Sequence, residues 1–298
     1  MIKDQAETLR LKSTMAQSVT KTDTRAKGIT RVISITSGKG GVGKTTTVVN
    51  LAISLARLGK SVLVLDADLG LANVDVMLGI RPKYTLQDLF EGKKSLAEII
   101  ISGPEGISII PAASGVESIC TLDTAQRMIL MQSVEEVAAH YDYLLVDTQA
   151  GIGSEVMYFN CASAEIICVV NSEPTSLTDA YALIKVMSQN YGEKAVSILV
   201  NEAEDAQRAE TTFRKLSKAV ERFLHIELRY IGFVPMDSAA REAVLNQKAL
   251  AEIFPSSPAS LAITAIAKKV DSQFLDFRVK GGMQFFFKQL LEISAHGS

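Results

Sequence analysis

The chain has 298 residues, enough for one large domain or two modest ones. Hydrophobic residues make up 47% and charged residues 21%, which is typical of folded globular proteins and excludes a wholly disordered chain. The formal net charge of −2 excludes a global attraction to nucleic acid, and the three cysteines form no CxxC pair of the kind found in zinc or iron–sulfur sites.

Short β-branched runs alternate with helical patterns between residues 28 and 270, which we interpret as one domain. The predicted strands are Arg31–Thr36, Ser61–Asp66, Ile107–Pro111, Tyr143–Asp147, Glu165–Val170, Ala195–Asn201 and Tyr230–Pro235. The clearest predicted helices are Thr46–Leu58, Ala125–Ala139, Ser176–Tyr191 and Ala206–Phe223. Because several strands are almost wholly apolar, the pattern predicts a doubly wound, mostly parallel α/β sheet covered on both faces.

Two appendages flank this domain. Residues 1–27 combine a short helical pattern with a Thr/Lys-rich linker and lack the apolar core of a signal peptide. Residues 271–298 contain the aromatic run Phe285–Phe287. No run of 18 apolar residues occurs, so we expect a cytoplasmic protein without a spanning helix, at most peripheral at the inner face of the membrane.

A glycine-rich loop follows the first predicted strand and opens the first long helix, as a phosphate-binding P-loop requires. Its predicted nucleotide-binding residues are Gly38, Lys39, Gly40, Gly41, Val42, Gly43, Lys44 and Thr45. The glycines let consecutive N–H groups face one phosphate. Lys44 is expected to reach the β- and γ-phosphates, and the Thr45 hydroxyl to ligate Mg²⁺.

A second lysine, Lys39, lies inside this loop, where an ordinary P-loop needs no charge. If it folded back, it would crowd Lys44 over the same phosphates. Two interpretations remain open from the residues alone: Lys39 reaches nucleotide on a second subunit, or it is a solvated surface lysine.

Carboxylates end two of the predicted strands, at the sheet edge where α/β proteins bind ligands. Asp66 and Asp68 follow the second strand; a carboxylate such as Asp68 orients the attacking water in phosphoryl transfer, or else caps a helix. Asp147 ends the fourth strand and begins a DxxxG pattern that finishes at Gly151. This pattern is typical of a switch in which the carboxylate holds Mg²⁺ through water and the glycine N–H senses the γ-phosphate.

Two later strand ends carry residues that could form a base pocket. The Asn201 amide could bond a base edge, and the alternative is that it caps a turn. Pro235 and Asp237 end the next strand and would complete the pocket. The Asn-Lys-x-Asp run that selects guanine is absent, which favours ATP over GTP.

The run Lys39–Thr46, KGGVGKTT, resembles the deviant Walker A motif of the MinD/ParA class of P-loop ATPases. The resemblance implies ATP and ADP as ligands, Mg²⁺ as cofactor and a homodimer when ATP is bound. It also implies that Lys39 acts in trans, that Lys44 acts in cis and that Thr46 touches the α-phosphate. Asp68 would be the catalytic aspartate of the first switch. Asp66 would contact the groups that ligate Mg²⁺ rather than the ion itself. Relatives usually carry a small residue or proline where this chain has Gln149.

Three further runs, Asp66–Asp75, Pro111–Gly115 and Glu173–Tyr181, are similar to the FlhG/FleN family, ATPases that control flagellar number in bacteria. The amino-terminal segment is similar to the DQAxxLR activator motif of that family. Its motif residues here are Asp4, Gln5, Ala6, Leu9 and Arg10. The resemblance implies three partners: an FlhF-type GTPase that this segment stimulates, a FleQ-type transcriptional activator and proteins of the flagellar switch complex. The alternative for this segment is a disordered tail with a chance helical pattern.

An apolar stripe with helical spacing occupies the carboxyl-terminal appendage. It consists of Met283, Phe286, Phe287, Leu290 and Leu291. Basic residues nearby suit an amphipathic helix on an anionic membrane surface. The alternative is a terminal helix packed on the sheet. The two interpretations are compatible if the helix packs in a groove of the monomer and is released on dimerisation.

Three other functions compete with a flagellar regulator. A partitioning or division-site ATPase of the ParA/MinD type remains the main alternative, although a DNA-binding dimer predicts a basic patch that the net charge does not favour. A nitrogenase-type metal-cluster protein needs cysteines at the dimer axis. A scaffold with an inactive P-loop is disfavoured because Lys44, Thr45, Asp68 and Asp147 are all present.

Overall fold

The computed structural model describes residues 30–68, 73–111 and 123–272. The strands are β1 Arg31–Ser37, β2 Val62–Asp66, β3 Ile101–Ser102, β4 Ser108–Ile110, β5 Tyr143–Ala150, β6 Glu165–Val170, β7 Ala195–Ala203 and β8 Glu227–Pro235. The helices are α1 Lys44–Arg57, α2 Val74–Met77, α3 Leu86–Phe90, α4 Leu96–Ile99, α5 Thr124–Ala138, α6 Ser154–Ala162, α7 Pro174–Tyr191, α8 Ala206–Phe223, α9 Ser238–Leu245, α10 Leu250–Ile253 and α11 Pro258–Ser272. No helix within these three ranges has the length and apolar character that crossing a membrane requires.

The strands form one eight-stranded sheet in the order β3-β4-β2-β5-β1-β6-β7-β8. Every neighbouring pair is parallel except β3–β4, which is antiparallel. The predicted doubly wound, mostly parallel sheet is therefore confirmed. Since the chain leaves β1 for β2 on one side and later crosses to β6 on the other, the end of β1 is the switch point at which such sheets bind ligands.

Helices cover both faces of the sheet. Alternate strand residues, such as Leu145 and Leu144 on β5, enter different hydrophobic clusters because successive side chains in a strand point to opposite faces. One face carries α1 and α11, and the other carries α6, α7 and α8. Because helices cover both faces, side chains on both sides of the central strands are buried, which explains the near-continuous apolar runs in the sequence.

The predicted long helices and strands are confirmed with small shifts at their ends, and the differences lie in short elements. The residue pattern did not predict β3 or the helices α2, α3 and α4, which have four or five residues each. Single turns of helix are not stable by themselves and form here because their apolar side chains, such as Leu86 and Leu96, are buried against the sheet layer. The last helix continues to Ser272, so Asp271 belongs to it.

A polar cluster lies at the opposite edge of the sheet from the ends of the parallel strands. Arg31 donates from Nε and Nη2 to Glu165 Oε1 at 3.0 and 2.7 Å, and from Nη1 to the Val270 carbonyl at 2.8 Å. Tyr143 donates its hydroxyl hydrogen to Asp271 at 2.8 Å. These contacts join the start of the central strand to the end of α11.

Candidate functional site

The predicted site residues meet at one edge of the sheet, where the parallel strands end. Asp66 and Asp147 occupy paired positions on the neighbouring strands β2 and β5. The loop of residues 38–43 joins β1, next to β5, to α1. Because β6, β7 and β8 run in the same direction on the other side of β1, Asn201 and Pro235 reach this edge as well.

The glycine loop has the backbone of an anion cradle. Gly41 and Gly43 have φ angles of +78° and +82°, in the left-handed region that glycine adopts most easily. A Cβ atom added at Gly40 or Gly41 would meet no atom within 4 Å, so open space lies beside the loop. Gly43 immediately precedes α1, which has no side-chain cap, and the free N–H groups of its first turn carry partial positive charge. The loop therefore offers N–H donors and room to an anion.

Asp147 bonds to Lys44 and Thr45, the residues predicted to bind the β- and γ-phosphates and Mg²⁺. Lys44 Nζ donates to Asp147 Oδ1 at 2.6 Å, and Thr45 Oγ1 donates to Oδ2 at 2.7 Å. The Asp147 side chain is fully buried, and that burial raises its pKa, against the opposing effect of Lys44 and Thr45. One buried carboxylate thus links the end of β5 to the first turn of α1.

Asp66 is also fully buried and is held by backbone donors. It accepts hydrogen bonds from the N–H groups of Asn73 and Val74 at 3.0 and 3.1 Å, and of Asp68 at 3.2 Å. Burial raises its pKa to about 7, and the negative charge of Asp147 acts in the same direction. Asp66 therefore fixes the backbone on both sides of residues 69–72.

Asp68 lies beside this carboxylate pair and bonds to a side chain rather than to the start of a helix. Its Oδ2 accepts from Asn73 Nδ2 at 3.0 Å. Asn73 is the residue that precedes α2, and it was not among the predicted site residues. Since its amide contacts Asp68 and its N–H contacts Asp66, Asn73 orients the predicted switch aspartate.

The predicted second switch begins as strand rather than as loop. β5 continues past Asp147 to Ala150, which pairs with Ser37 beyond an irregularity in β1. Gly151 follows with a φ of +102°, and its N–H donates to the Ser37 carbonyl at 2.9 Å. Gln149 lies within this strand extension, half-buried. The Gly151 N–H thus has a backbone partner on β1, next to the phosphate loop.

The strand ends predicted to bind adenine have structural partners of their own. Asn201 Nδ2 donates to the Val42 carbonyl at 2.8 Å in a buried position, which attaches the end of β7 to the phosphate loop. Pro235 pairs with Ala203 at the end of β8. The Asp237 carboxylate accepts from the N–H of Ala239 at 2.9 Å and from the N–H of Ala259 at 3.1 Å, so it caps α9 and holds the start of α11.

Two further predictions for the phosphate loop and the helix that follows it concern Lys39 and Thr46. Lys39 points away from Lys44: its Nζ donates to Glu173 Oε2 at 2.5 Å and to Thr175 Oγ1 at 2.9 Å. Thr46 Oγ1 lies 3.8 Å from the Met77 sulfur. Glu173 and Thr175 belong to the run Glu173–Tyr181 noted in the sequence analysis. Nothing in the sequence indicated that they would contact Lys39.

The donor set fits a hydrated magnesium ion next to phosphates. A hydroxyl at Thr45 and carboxylates at Asp147 and Asp66 are the oxygen ligands that Mg²⁺ prefers. Within the described ranges, no group of three or more His, Cys, Asp or Glu side chains could hold a metal by itself. Mg²⁺ commonly takes only one or two protein ligands and completes its shell with water and phosphate oxygens, so these residues suit a metal that arrives with a nucleotide.

Two sets of predicted residues lie outside the described residues. They are the amino-terminal motif residues Asp4, Gln5, Ala6, Leu9 and Arg10 and the apolar stripe Met283, Phe286, Phe287, Leu290 and Leu291. Of the three cysteines, Cys161 and Cys168 are buried free thiols, and Cys120 lies outside the described residues.

Comparison with known proteins gives consistent similarities. The family described as an AAA domain matches residues 30–200. The antiactivator FleN of Pseudomonas aeruginosa is 47% identical over 90% of this chain and 96% of its own length. The flagellum site-determining protein YlxH of Helicobacter pylori is 36% identical over 89% of this chain and 91% of its own length. Among solved structures, the septum site-determining protein MinD of Pyrococcus horikoshii, in complex with Mg-ADP, is 27% identical with a TM-score of 0.64, over 82% of this chain and 97% of that one.

Proposed function

This chain belongs to the FlhG/FleN family of MinD/ParA-class P-loop ATPases, and we propose that it is a switch that controls flagellar number or placement by dimerising with ATP and separating after hydrolysis. One observation carries the proposal. Lys44 and Thr45 both bond to Asp147 on β5, whereas Lys39 of the same loop bonds to Glu173. The loop thus offers Lys44 and Thr45 for contacts in cis, and one further ammonium group, that of Lys39, which has separate partners.

In the proposed cycle, Lys44 exchanges Asp147 for the β- and γ-phosphates, and the N–H groups of residues 40–45 bind the same oxygens. Thr45 and Asp147 are the residues that would hold Mg²⁺, and Asp66, paired with Asp147 on the neighbouring strand, would support them. The ion neutralises phosphate charge when it is bound. Asp68, oriented by Asn73, positions the attacking water.

Dimerisation follows from linkage. If Lys39 contacts the nucleotide of the partner subunit, ATP binds the dimer more tightly than the monomer and shifts the equilibrium towards the dimer. In this cycle the Gly151 N–H exchanges the Ser37 carbonyl for the γ-phosphate, and loss of the γ-phosphate after hydrolysis reverses that exchange. The dimer then relaxes to monomers.

The flagellar partners are proposed from the relatives and from the amino-terminal motif. The similarity to an antiactivator supports binding of a FleQ-type transcriptional activator, and the DQAxxLR motif supports stimulation of an FlhF-type GTPase. Components of the flagellar switch complex are the third expected partner. The apolar stripe of residues 283–291 is proposed to hold the dimer on the anionic inner membrane surface.

The central test is the mass of the full chain in solution with Mg-ADP and with Mg-ATP. We expect a monomer with ADP and a dimer with ATP, an ATP dimer that persists for longer in Asp68→Ala, and a monomer under both conditions in Lys39→Ala. Equal lifetimes for the wild-type and Asp68→Ala dimers would show that Asp68 is not the switch aspartate. A Lys39→Ala dimer as stable as wild type would refute the trans role.

Separate measurements test the partners. A peptide of residues 1–12 should raise the GTPase rate of an FlhF-type partner, and a peptide with Gln5→Ala and Leu9→Ala should not. Co-sedimentation with vesicles of anionic lipid should require ATP and residues 283–298. Binding to vesicles that survives deletion of those residues would exclude the proposed membrane helix.

A further inference from the structure

Lys39 is held on its own chain by two acceptors at the start of α7. Its ammonium group donates to Glu173 Oε2 at 2.5 Å and to Thr175 Oγ1 at 2.9 Å. Both charged side chains remain accessible, with 36% of the Lys39 side chain and 56% of the Glu173 side chain exposed. The hydrogen bond from Lys39 and its positive charge lower the pKa of Glu173, so this carboxylate is ionised at neutral pH. Two of the three N–H donors of the ammonium group are therefore occupied in cis.

The fold fixes the acceptors at this position. Glu173 is the residue before Pro174, and its N–H donates to Asn171 Oδ1 at 3.2 Å. Asn171 N–H in turn donates to Ser176 Oγ at 3.1 Å. The backbone around Glu173 is thus held by the first turn of α7, and only the outer part of its side chain is free to move.

The second turn of α7 also lies directly against the phosphate loop. A Cβ atom added at Gly38 would stand 2.2 Å from the Asp179 carbonyl carbon and 2.5 Å from Ala180 N. No side chain fits between the two backbones, so the distance from Lys39 to its acceptors does not depend on flexible intervening residues. The contact is part of the loop's architecture.

We propose that Glu173 and Thr175 are positioning residues that hold Lys39 in cis, so that dimerisation must first release it. This inference rests on the proposed function, since it assumes that Lys39 acts on the nucleotide of a second subunit. Lys39 has one ammonium group, and reaching a partner's phosphates requires it to leave Glu173. The contact therefore opposes the dimer and sets the ATP concentration at which the dimer forms.

Because the dimer is symmetric, a weak contact in each protomer has a larger effect on the dimer dissociation constant. An exposed ion pair reduces the free population of its lysine about 2- to 5-fold. A symmetric dimer requires two released lysines, and the apparent dissociation constant scales inversely with the competent fraction of each protomer. The two factors multiply, so the contact should weaken the dimer roughly 4- to 25-fold.

The experiment measures the monomer–dimer dissociation constant of the full chain by sedimentation, with Mg²⁺ and a non-hydrolysable ATP analogue. The variants are Glu173→Gln, which keeps the shape and removes the charge, and Thr175→Val, which removes the hydroxyl. Glu210→Gln is the matched control, because Glu210 forms an equally short ion pair with Arg214 and its side chain is 54% exposed. The ADP affinity and thermal midpoint of each monomer show whether the fold is unchanged.

We expect Glu173→Gln to tighten the dimer about 4- to 25-fold and Thr175→Val to tighten it less, with ADP affinity unchanged and Glu210→Gln equal to wild type. In a Lys39→Ala background, Glu173→Gln should have no effect on association. A dissociation constant equal to that of wild type, or a weaker dimer, in Glu173→Gln would overturn the inference.

Failure of the proposed function has a different signature. If wild type does not dimerise with the analogue, or if Lys39→Ala dimerises as wild type does, the trans role and this inference both fall. If wild type dimerises, Lys39→Ala does not, and Glu173→Gln is unchanged, only the cis restraint is wrong.

Discussion

Replacing Gly43 by alanine tests how the phosphate loop is supported, because Gly41 provides a matched control. Both glycines have nearly equal positive φ angles, +78° at Gly41 and +82° at Gly43, so an alanine costs about 1–2 kcal/mol of backbone strain at either position. A Cβ at Gly41 meets nothing within 4 Å, whereas a Cβ at Gly43 would lie 2.2 Å from Asn201 Nδ2. The two substitutions differ in this one contact.

The contact has a definite energetic consequence. For the methyl group of the Gly43→Ala variant to fit, the amide of Asn201 must move, and its buried 2.8 Å hydrogen bond to the Val42 carbonyl is lost. A buried acceptor left without a partner costs about 1–3 kcal/mol. Gly43→Ala should therefore lower the free energy of unfolding by about 1–3 kcal/mol more than Gly41→Ala does.

A double-mutant cycle isolates the cause. Asn201→Ala by itself loses the same hydrogen bond and should cost about 1–3 kcal/mol. In the combined Gly43→Ala and Asn201→Ala variant the bond is lost only once, so the summed single costs should exceed the double cost by about 1–3 kcal/mol. Urea unfolding of the nucleotide-free protein, monitored by far-ultraviolet circular dichroism, gives all the required values.

Two results would refute this reasoning. Costs that add to within about 0.5 kcal/mol would mean that Gly43 and Asn201 are energetically independent. Equal costs for Gly41→Ala and Gly43→Ala would mean that the loop relaxes away from Asn201 without penalty.

Three other predictions concern buried groups. Arg31→Met leaves the largely buried Glu165 without this ion-pair partner and should cost about 3 kcal/mol in urea unfolding. Arg57→Met, which removes an exposed pair, should cost no more than about 1 kcal/mol, and equal costs would contradict the importance of burial. Asp147→Asn removes the charge that Lys44 and Thr45 share and should weaken magnesium-dependent ATP binding about 10- to 100-fold in titration calorimetry, with less effect when Mg²⁺ is absent. Burial raises the pKa of Cys168 to about 12, so iodoacetamide at about pH 8 should label this thiol in urea and not in the native protein. Peptide mass spectrometry measures the labelling, and fast labelling of the native protein would contradict this expectation.

The sequence by itself determined the architecture and the chemical character of the site. The apolar strands alternating with long helices predicted the doubly wound sheet, because such strands are stable only when helices cover both faces. The spacing of the loop from Gly38 to Thr45, between a strand and a helix, predicted a phosphate cradle, since that backbone needs glycine and a helix start. Local signals were sufficient for these features.

Only the tertiary structure decided which side chains meet. The pairing of Lys39 with Glu173 joins residues 134 positions apart, and that of Asn201 with Val42 joins residues 159 positions apart. The sheet order brings β6 and β7 beside the loop that follows β1, and no local pattern encodes that order. The short helices α2–α4 are likewise products of burial rather than of local propensity. The sequence therefore specified a nucleotide loop with an extra lysine, and the fold placed that lysine on an acidic partner within its own chain.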